Sequence, residues 1–403
     1  MMTTTRVRIL ATGALLAGAS SLFAQAHDAA PAPKAPPVAL TEVVVRNNAA
    51  FARTETVEVQ SKDIPGLAKI ADLAKVHVAN AATGKEVLAQ GVDTNGDWDD
   101  DVLVFQVELA AKASARFRLT LGEARKYSRE DFRVNGRFVR ERFDDFAWEN
   151  DKVAFRMYGE ALETWEREPL TSSTVDAWVK KTTRLTVNDW YLVDDYHKDH
   201  GEGGDFYSAG KARGCGGSGL MSDGKLFVSK NFRKSHLLSR GPIRLVFELT
   251  YEPWDVAGVK VSEVKRVTLD AGSNFNRFDS FYRTESGAPL PEGVLFATGI
   301  KKEKAAALRL EAPQGVVRSW QELTAYAKDG WMGCALVLDP ARAVGTTELD
   351  GNVLLTFRGA GPYYAGTGWD RSGDFKTMAD FDAYVESFQR RLASPLSVEV
   401  AKP

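Results

Sequence analysis

Residues 194–219, DDYHKDHGEGGDFYSAGKARGCGGSG, gather two of the chain's five histidines, one of its two cysteines and eight of its glycines. Glycine at this density loses too much conformational freedom to serve as a helix or strand interior. The stretch reads as a loop of tight turns, and loops on rigid scaffolds are where binding and catalysis concentrate. The competing reading is a glycine-rich surface turn with incidental histidines. Histidine is the side chain whose ordinary pKa lies nearest neutrality, so His197 or His200 could act as acid or base. Tyr196 and Tyr207 could supply protons if Lys211, Arg213 or Arg240 lower their pKa values. Tyrosine and histidine beside a cation are what β-elimination on a uronic acid requires. A cation neutralises the carboxylate, a base takes the acidified C5 proton, and an acid protonates the leaving O4. Zinc on His197, His200 and a third ligand is the weaker alternative, because HxxH without a second ligand pair has little specificity.

A second polar cluster is DTNGDWDDD, in which Asp93, Asn95, Asp97, Asp99 and Asp101 alternate along the chain. Alternate oxygen-bearing side chains in a glycine-containing turn can wrap calcium, giving a structural metal site. The pattern departs from an EF-hand, since its glycine comes early and a strand follows. The other reading is an Asp/Asn-rich turn held by side-chain-to-backbone hydrogen bonds. No GxSxG, HExxH, phosphate-binding glycine loop or dinucleotide fingerprint is present. The chemistry expected needs no cofactor.

The elements that must position these residues are mostly strands. Short apolar or alternating runs recur at 40–45, 56–59, 102–109, 115–121, 243–251, 261–269, 278–283, 294–298, 332–338 and 353–357. In Ile243 to Tyr251 the odd positions are apolar, while Arg244, Glu248 and Thr250 point the other way, which fits one buried and one wet sheet face. One helix is expected near the C-terminus, where Met378, Phe381, Tyr384, Val385, Phe388 and Leu392 recur at helical spacing before Pro395. A run of strands this long implies an all-β-dominated fold of antiparallel sheets packed as a sandwich, with few helices. A boundary is expected in the charged stretch 122–138, dividing an N-terminal β unit (40–125) from a larger sandwich (126–403). One continuous domain, 40–403, is nearly as acceptable.

Residues 1–26 resemble a secretory signal: Arg6 and Arg8, an apolar run, then Ala24-Gln25-Ala26. Residues 27–39 are a proline- and alanine-rich lead-in. Removing the signal takes away two arginines and no acid, moving the formal charge from −2 to −4. The expected location is periplasmic or secreted, with no membrane span after signal removal. Mild acidity and the lack of basic blocks argue against nucleic acid as a partner. Two cysteines, Cys215 and Cys334, allow one bridge or two separate thiols. Aromatic residues stack on sugar C–H faces, and Tyr158 in YGEALE and Trp178 in AWVKK stand in the more polar aromatic contexts, although core packing explains most such residues.

The segments YGEALE, AWVKK, YHKDHGEGGDFYSAGKARGCGGSGL, SKNF, RGPIRLVFELTYEPW and VSEVKRVTLDAG, with the acidic turn, resemble the exported bacterial family known as domain of unknown function 4861, over about residue 40 to the C-terminus. The order His197, Gly201, Gly203, Asp205, Tyr207 is the most specific part. The resemblance implies a galactose-mutarotase-like supersandwich and a carbohydrate-active lyase or dehydratase acting on acidic oligosaccharides from polysaccharide degradation. Under that reading His197 is the base or acid, interchangeable with His200, and Tyr207 is its partner. Lys180 and Arg213 bind the carboxylate, Asp205 orients the loop, and Tyr158 and Trp178 line the sugar site. A glycoside hydrolase or epimerase using Glu160 or Glu248, and a non-catalytic carbohydrate-binding protein, are the alternatives.

Overall fold

The computed structural model describes residues 37–67, 70–193 and 195–401. The expected signal at 1–26 and most of the lead-in lie outside them. Residues 37–403 form one compact unit. Every strand expected from the sequence overlaps an observed strand, with 243–251 and 294–298 starting one residue early, and every pairing between the named strands is antiparallel. The C-terminal helix is Met378–Ala393, capped by a reciprocal pair in which Thr377 Oγ1 accepts from Asp380 N and the Asp380 carboxylate accepts from Thr377 N.

An eight-stranded sheet runs in the order Lys234–Arg240, Arg244–Val256, Val259–Asp270, Phe275–Thr284, Tyr363–Trp369, Trp331–Leu338, Val316–Glu322, Ala307–Glu311. Alternation along Arg244–Val256 sends Leu245, Phe247, Leu249 and Tyr251 to the core. A five-stranded sheet centred on Leu295–Lys301 and a second centred on Val153–Met157 share that core, which includes Trp148, Phe155, Phe247, Leu336 and Trp369. Burial of these large rings is the main source of stability, at roughly 1.5–3 kcal/mol for each large apolar side chain. The first strand, Val38–Arg46, pairs with the last, Ser397–Val400, and with Ser114–Leu121, over a separate core of Val43, Val45, Leu103, Phe105 and Leu119.

The sheet centred on Val153–Met157 runs Gly203–Gly204, Asp176–Lys180, Val153–Met157, Asp145–Asn150, Val134–Val139. Alternation along it sends Phe146, Trp148, Phe155 and Met157 to the main core. The opposite face carries Asp145, Glu149, Arg156, Tyr158, Asp176, Trp178 and Lys180, all buried. It is covered by the short helix Val187–Val193 and by the glycine-rich loop. This twice-covered sheet positions the candidate site.

Candidate active site

Arg156 is the centre of the buried face. Its Nε donates to Asp176 Oδ2 at 2.9 Å, and its Nη atoms lie 3.3 Å from Asp205 Oδ2 and 3.6 Å from Asp145 Oδ2. The three carboxyl side chains and the arginine are at most 8 % exposed. One guanidinium cannot compensate three buried carboxylates, so the cluster holds protons. Burial pushes Asp145 up to about 7, against the pull of Arg156. Burial also raises Asp176 and raises Asp205 well above the carboxylate range, the latter aided by the charge of Asp176. Asp205 Oδ2 is buried and makes no hydrogen bond.

His197 stands at the rim of this cluster, with its side chain 32 % exposed. Its Nδ1 lies 2.9 Å from the carbonyl oxygen of Asp205. A carbonyl only accepts, so Nδ1 carries the hydrogen and the neutral ring keeps its lone pair on Nε2. Burial lowers the His197 pKa below its ordinary value; the bond to Asp205 opposes this and the charge of Arg156 adds to it. At neutral pH the residue is therefore an unprotonated base with a fixed tautomer. Tyr326, half exposed on the loop after Val316–Glu322, stacks on the imidazole with ring centroids 4.0 Å apart. Burial, then the charges of Asp205 and Asp176, raise the Tyr326 pKa, keeping its phenol protonated. Tyr196 lies against the other neighbours, 4.6 Å from His197 and stacked on Trp178 at 5.1 Å.

The loop is shaped by its own backbone. Asp205 N donates to Tyr196 O at 2.7 Å, closing the turn from which His197 projects. Asp199 accepts from Gly201 N and Gly203 N and pairs with Lys181 at 2.7 Å. Gly203 has φ +109, and a Cβ there would sit 2.0 Å from Val179 O, so only glycine allows the loop to join the sheet.

The other residues singled out from sequence separate into distinct environments. His200 is partly exposed, with Nε2 3.1 Å from Asp195 O, at the outer end of the loop. Tyr207 faces the main core, and its buried hydroxyl donates to Gly214 O at 2.9 Å, so it is not the proton donor beside His197. Arg213 is buried too; its guanidinium donates to Ser172 Oγ, Ser173 Oγ and Ser218 O, and burial lowers it to about 10. Lys180 Nζ is fully buried, bonding Glu149 at 2.5 Å, Asn150 O at 2.8 Å and Arg184 O at 2.6 Å. Glu149 in turn accepts from Thr186 N and Val187 N at the start of the short helix. Neither cation is placed to meet a ligand carboxylate. Tyr158 and Trp178 are 3 % and 0 % exposed, and both stack on Arg156 from within rather than presenting a face to sugar.

In the acidic turn, Asp93 accepts from Asn95 N, Gly96 N and Trp98 N, while Asp101 accepts from Thr94 N and Oγ1. Asn95 and Asp97 cap their own turns through Asp97 N and Asp99 N. The side-chain oxygens named for calcium accept hydrogen bonds that hold the turn, and among the described residues no group of three His, Cys, Asp or Glu side chains is arranged to hold a metal. Cys215 and Cys334 are buried free thiols, and Cys215 Sγ donates to Gly366 O at 3.3 Å.

The family model described as Domain of unknown function (DUF4861) matches residues 45–398. The chain belongs to this family. A relative from Formosa agariphila, "Uncharacterized protein P7", is 30 % identical over 384 residues, covering 89 % of this chain and 93 % of that protein. Among solved structures, a protein in the Glycosyl Hydrolase Family 38 from Enterococcus faecalis aligns with TM-score 0.50 and 11 % identity, over 90 % of this chain and 47 % of that one. An α-mannosidase from Enterococcus faecalis aligns with TM-score 0.48 and 12 % identity, over 90 % and 46 %. The DUF4861 chain spans about half the length of these two structures. The first likeness concerns the fold alone, and it is consistent with the mutarotase-like sandwich that the sequence resemblance implies.

Five residues of this DUF4861 site escaped the sequence reading: Asp145, Arg156, Asp176, Tyr326 and, beside Tyr196, Arg142. The first three sit at alternate strand positions between apolar neighbours, as in Asp145-Phe-Ala-Trp-Glu149 and Ala154-Phe-Arg156-Met. That pattern, charge alternating with large aromatics, was the available signal. No described helix is long and apolar enough to cross a membrane.

Proposed function

We propose that this protein is a carbohydrate-active lyase or dehydratase, acting outside the cytoplasm on uronic-acid-containing oligosaccharides by β-elimination. The observation that carries the reading is His197, a neutral imidazole with its hydrogen fixed on Nδ1, its Nε2 lone pair free and a protonated phenol stacked against it. In the proposed step His197 Nε2 takes the C5 proton of the uronate. The C5–H electron pair becomes the C4=C5 double bond as the C4–O4 bond breaks. The phenol of Tyr326 protonates O4, and the proton taken up by His197 returns through solvent to the Tyr326 phenolate, restoring both groups. The Arg156 cluster stays out of the covalent chemistry. It fixes Asp205, and Asp205 fixes the imidazole. Family membership and the sandwich fold, which is shared with a glycoside hydrolase, support a sugar as the ligand.

The test is incubation with a panel of uronate oligosaccharides, with absorbance of the unsaturated uronate and product mass as readouts. Chain shortening with a double bond marks lysis, and loss of one water without cleavage marks dehydration. Products with a new reducing end and no double bond would overturn the reading in favour of a hydrolase. For that alternative, Glu160 stands exposed beside Arg233 and Glu248 is held by Arg266 at 2.6 Å, so neither joins the His197 site.

A second reading, non-catalytic glycan binding, is favoured by a groove of about 780 Å³ between the strand Arg53–Gln60 and the outer face of the eight-stranded sheet. It is lined by Arg266, Arg277, Phe281 and Tyr364, away from His197. Volumes of this order suit small ligands. This reading predicts glycan affinity that survives His197→Ala with no product formed by the wild type.

A further inference from the structure

Elimination from a uronate needs a cation at its carboxylate, and the interior holds Lys180 and Arg213 away from any ligand. We propose that Arg142 is the carboxylate-binding residue of the site, an assignment that rests on the β-elimination reading and names the part of the substrate it grips. Arg142 lies in the turn between Val134–Val139 and Asp145–Asn150, where its N–H donates to Val139 O and its carbonyl accepts from Asp145 N, both at 3.1 Å. The next two residues, Phe143 and Asp144, have φ 52 and 62. Two successive non-glycine residues in the left-handed region are costly, and they make this a tightly turned segment.

The guanidinium then packs among three rings. Its carbon is 5.0 Å from the centroid of Phe143, 5.5 Å from Trp165 and 5.3 Å from Tyr196. Phe143 and Trp165 are themselves in contact, with centroids 4.5 Å apart and planes tilted by 33°. Among the described residues no carboxylate lies within 4.0 Å of it, and its Nε is buried without an acceptor. Of the other cations near the loop, Arg156 is held by three carboxyls, Lys180 by Glu149 and Lys181 by Asp199, while Lys198 and Lys211 are exposed on the loop's outer surface. A guanidinium fixed by aromatic faces, with donors unspent, is arranged for a planar carboxylate, which it can bind through two parallel N–H bonds. Tyr196 links the two functions, because its ring neighbours both the Arg142 guanidinium and the His197 imidazole. A uronate carboxylate held there puts the adjacent C5–H beside the base. The positive charge of Arg142 also helps to lower the His197 pKa, and it opposes the rise of the nearby Asp205.

The experiment measures binding apart from turnover. Trisaccharides of glucuronate and galacturonate, and their methyl esters, are titrated calorimetrically into His197→Ala and into the double variants carrying Arg142→Gln or Arg142→Lys. The acid is expected to bind the parent more tightly than its ester. Arg142→Gln should weaken the acid roughly ten- to a hundredfold and leave the ester unchanged. Arg142→Lys should recover part of the loss. In the His197-intact enzyme, Arg142→Gln should move the acid limb of the activity profile to higher pH, because a charge opposing imidazolium is gone. Melting curves check that the variants fold. Equal affinity for acid and ester, failure of either acid to bind, or an unchanged Arg142→Gln would overturn the assignment. Tighter binding of a sulfated trisaccharide than of the uronates would reassign the cation to sulfate esters. Arg142-dependent binding with no double bond formed by the wild type would leave this assignment standing and remove the elimination chemistry instead.

Discussion

The ring of Tyr326 lies on the ring of His197, with centroids 4.0 Å apart and planes 26° from parallel. These residues are far apart in sequence and arrive on different elements, one on the glycine loop and one on the turn after Val316–Glu322. The imidazole is thus gripped by Asp205 O at its Nδ1 edge and by a phenol on its face.

Replacing either residue should separate two roles. His197→Ala is expected to abolish double-bond formation with the melting temperature nearly unchanged, since the ring is partly exposed. Tyr326→Phe keeps the stack and removes only the hydroxyl. It should lower kcat by about a hundredfold or more while leaving KM close to the wild-type value. Steady-state kinetics on the same oligosaccharide check both. Wild-type kcat in Tyr326→Phe would exclude it as the proton donor.

The acid limb of activity should report His197. Its pKa is lowered by burial, so the unprotonated base persists below the ordinary histidine range and activity falls only as the pH drops through that lowered value. A kcat/KM profile whose acid limb lies above the ordinary histidine pKa would contradict the assignment.

Asp145 gives a stability prediction of definite sign. Folding raises its carboxyl from 3.8 to about 7. Between those values the native state binds more protons than the unfolded chain, so this residue's contribution weakens as pH rises from about 4 to about 7 and is flat above. Asp145→Asn removes the dependence. The melting temperature of the variant relative to wild type should therefore climb across that window. A constant difference from pH 4 to 8 would show that Asp145 is ionised throughout.

Lys180 should behave as a structural residue. Lys180→Met leaves Glu149 buried without its partner, which costs about 3–5 kcal/mol. Denaturant unfolding is expected to show the loss. Any protein that remains folded should keep its KM for an acidic oligosaccharide. A large KM increase without destabilisation would return Lys180 to the substrate.

The acidic turn should be insensitive to metal. Chelation is expected to leave the melting temperature where it was, whereas Asp93→Ala, which strips the acceptor of three backbone N–H groups, should lower it. A fall in melting temperature on chelation would restore the calcium site.

Alternation found Arg244–Val256, Val259–Asp270 and Phe275–Thr284 of the eight-stranded sheet because one face is apolar and the other wet, but it gave no signal for the strands Lys234–Arg240, Ala307–Glu311, Val316–Glu322 and Tyr363–Trp369. It missed the strands from 134 to 180 because both their faces are covered, and their buried charges read as surface. Asp145-Phe-Ala-Trp-Glu149-Asn150 is buried at every position. The glycines and histidines of residues 194–219 marked the segment that carries His197, but its last residues, from Cys215, are not loop. Cys215–Ser222 is a buried strand paired with Leu295–Lys301, where Gly216, Gly217 and Gly219 leave room for close neighbours. His197 was legible by type. Its partners were not. Tyr207 was chosen for nearness in sequence, but it points into the core, while Tyr326 comes from a loop that only tertiary folding brings near. Lys180 and Arg213 were chosen as cations, and burial had already assigned them carboxylate and hydroxyl partners. Arg142 lay just past the charged stretch 122–138 that was read as a domain boundary, and nothing in its sequence neighbourhood marked it.

The ion pair between Lys180 and Glu149 bears on heat as well as on packing. Glu149 holds the start of the short helix, the residues around Lys180 pair with Gly203 and Gly204, and the His197 loop hangs between those two anchors. The His197 loop should therefore have no melting transition of its own. Warming should produce no interval in which the protein is folded but idle; activity should persist to the edge of global unfolding and vanish with it.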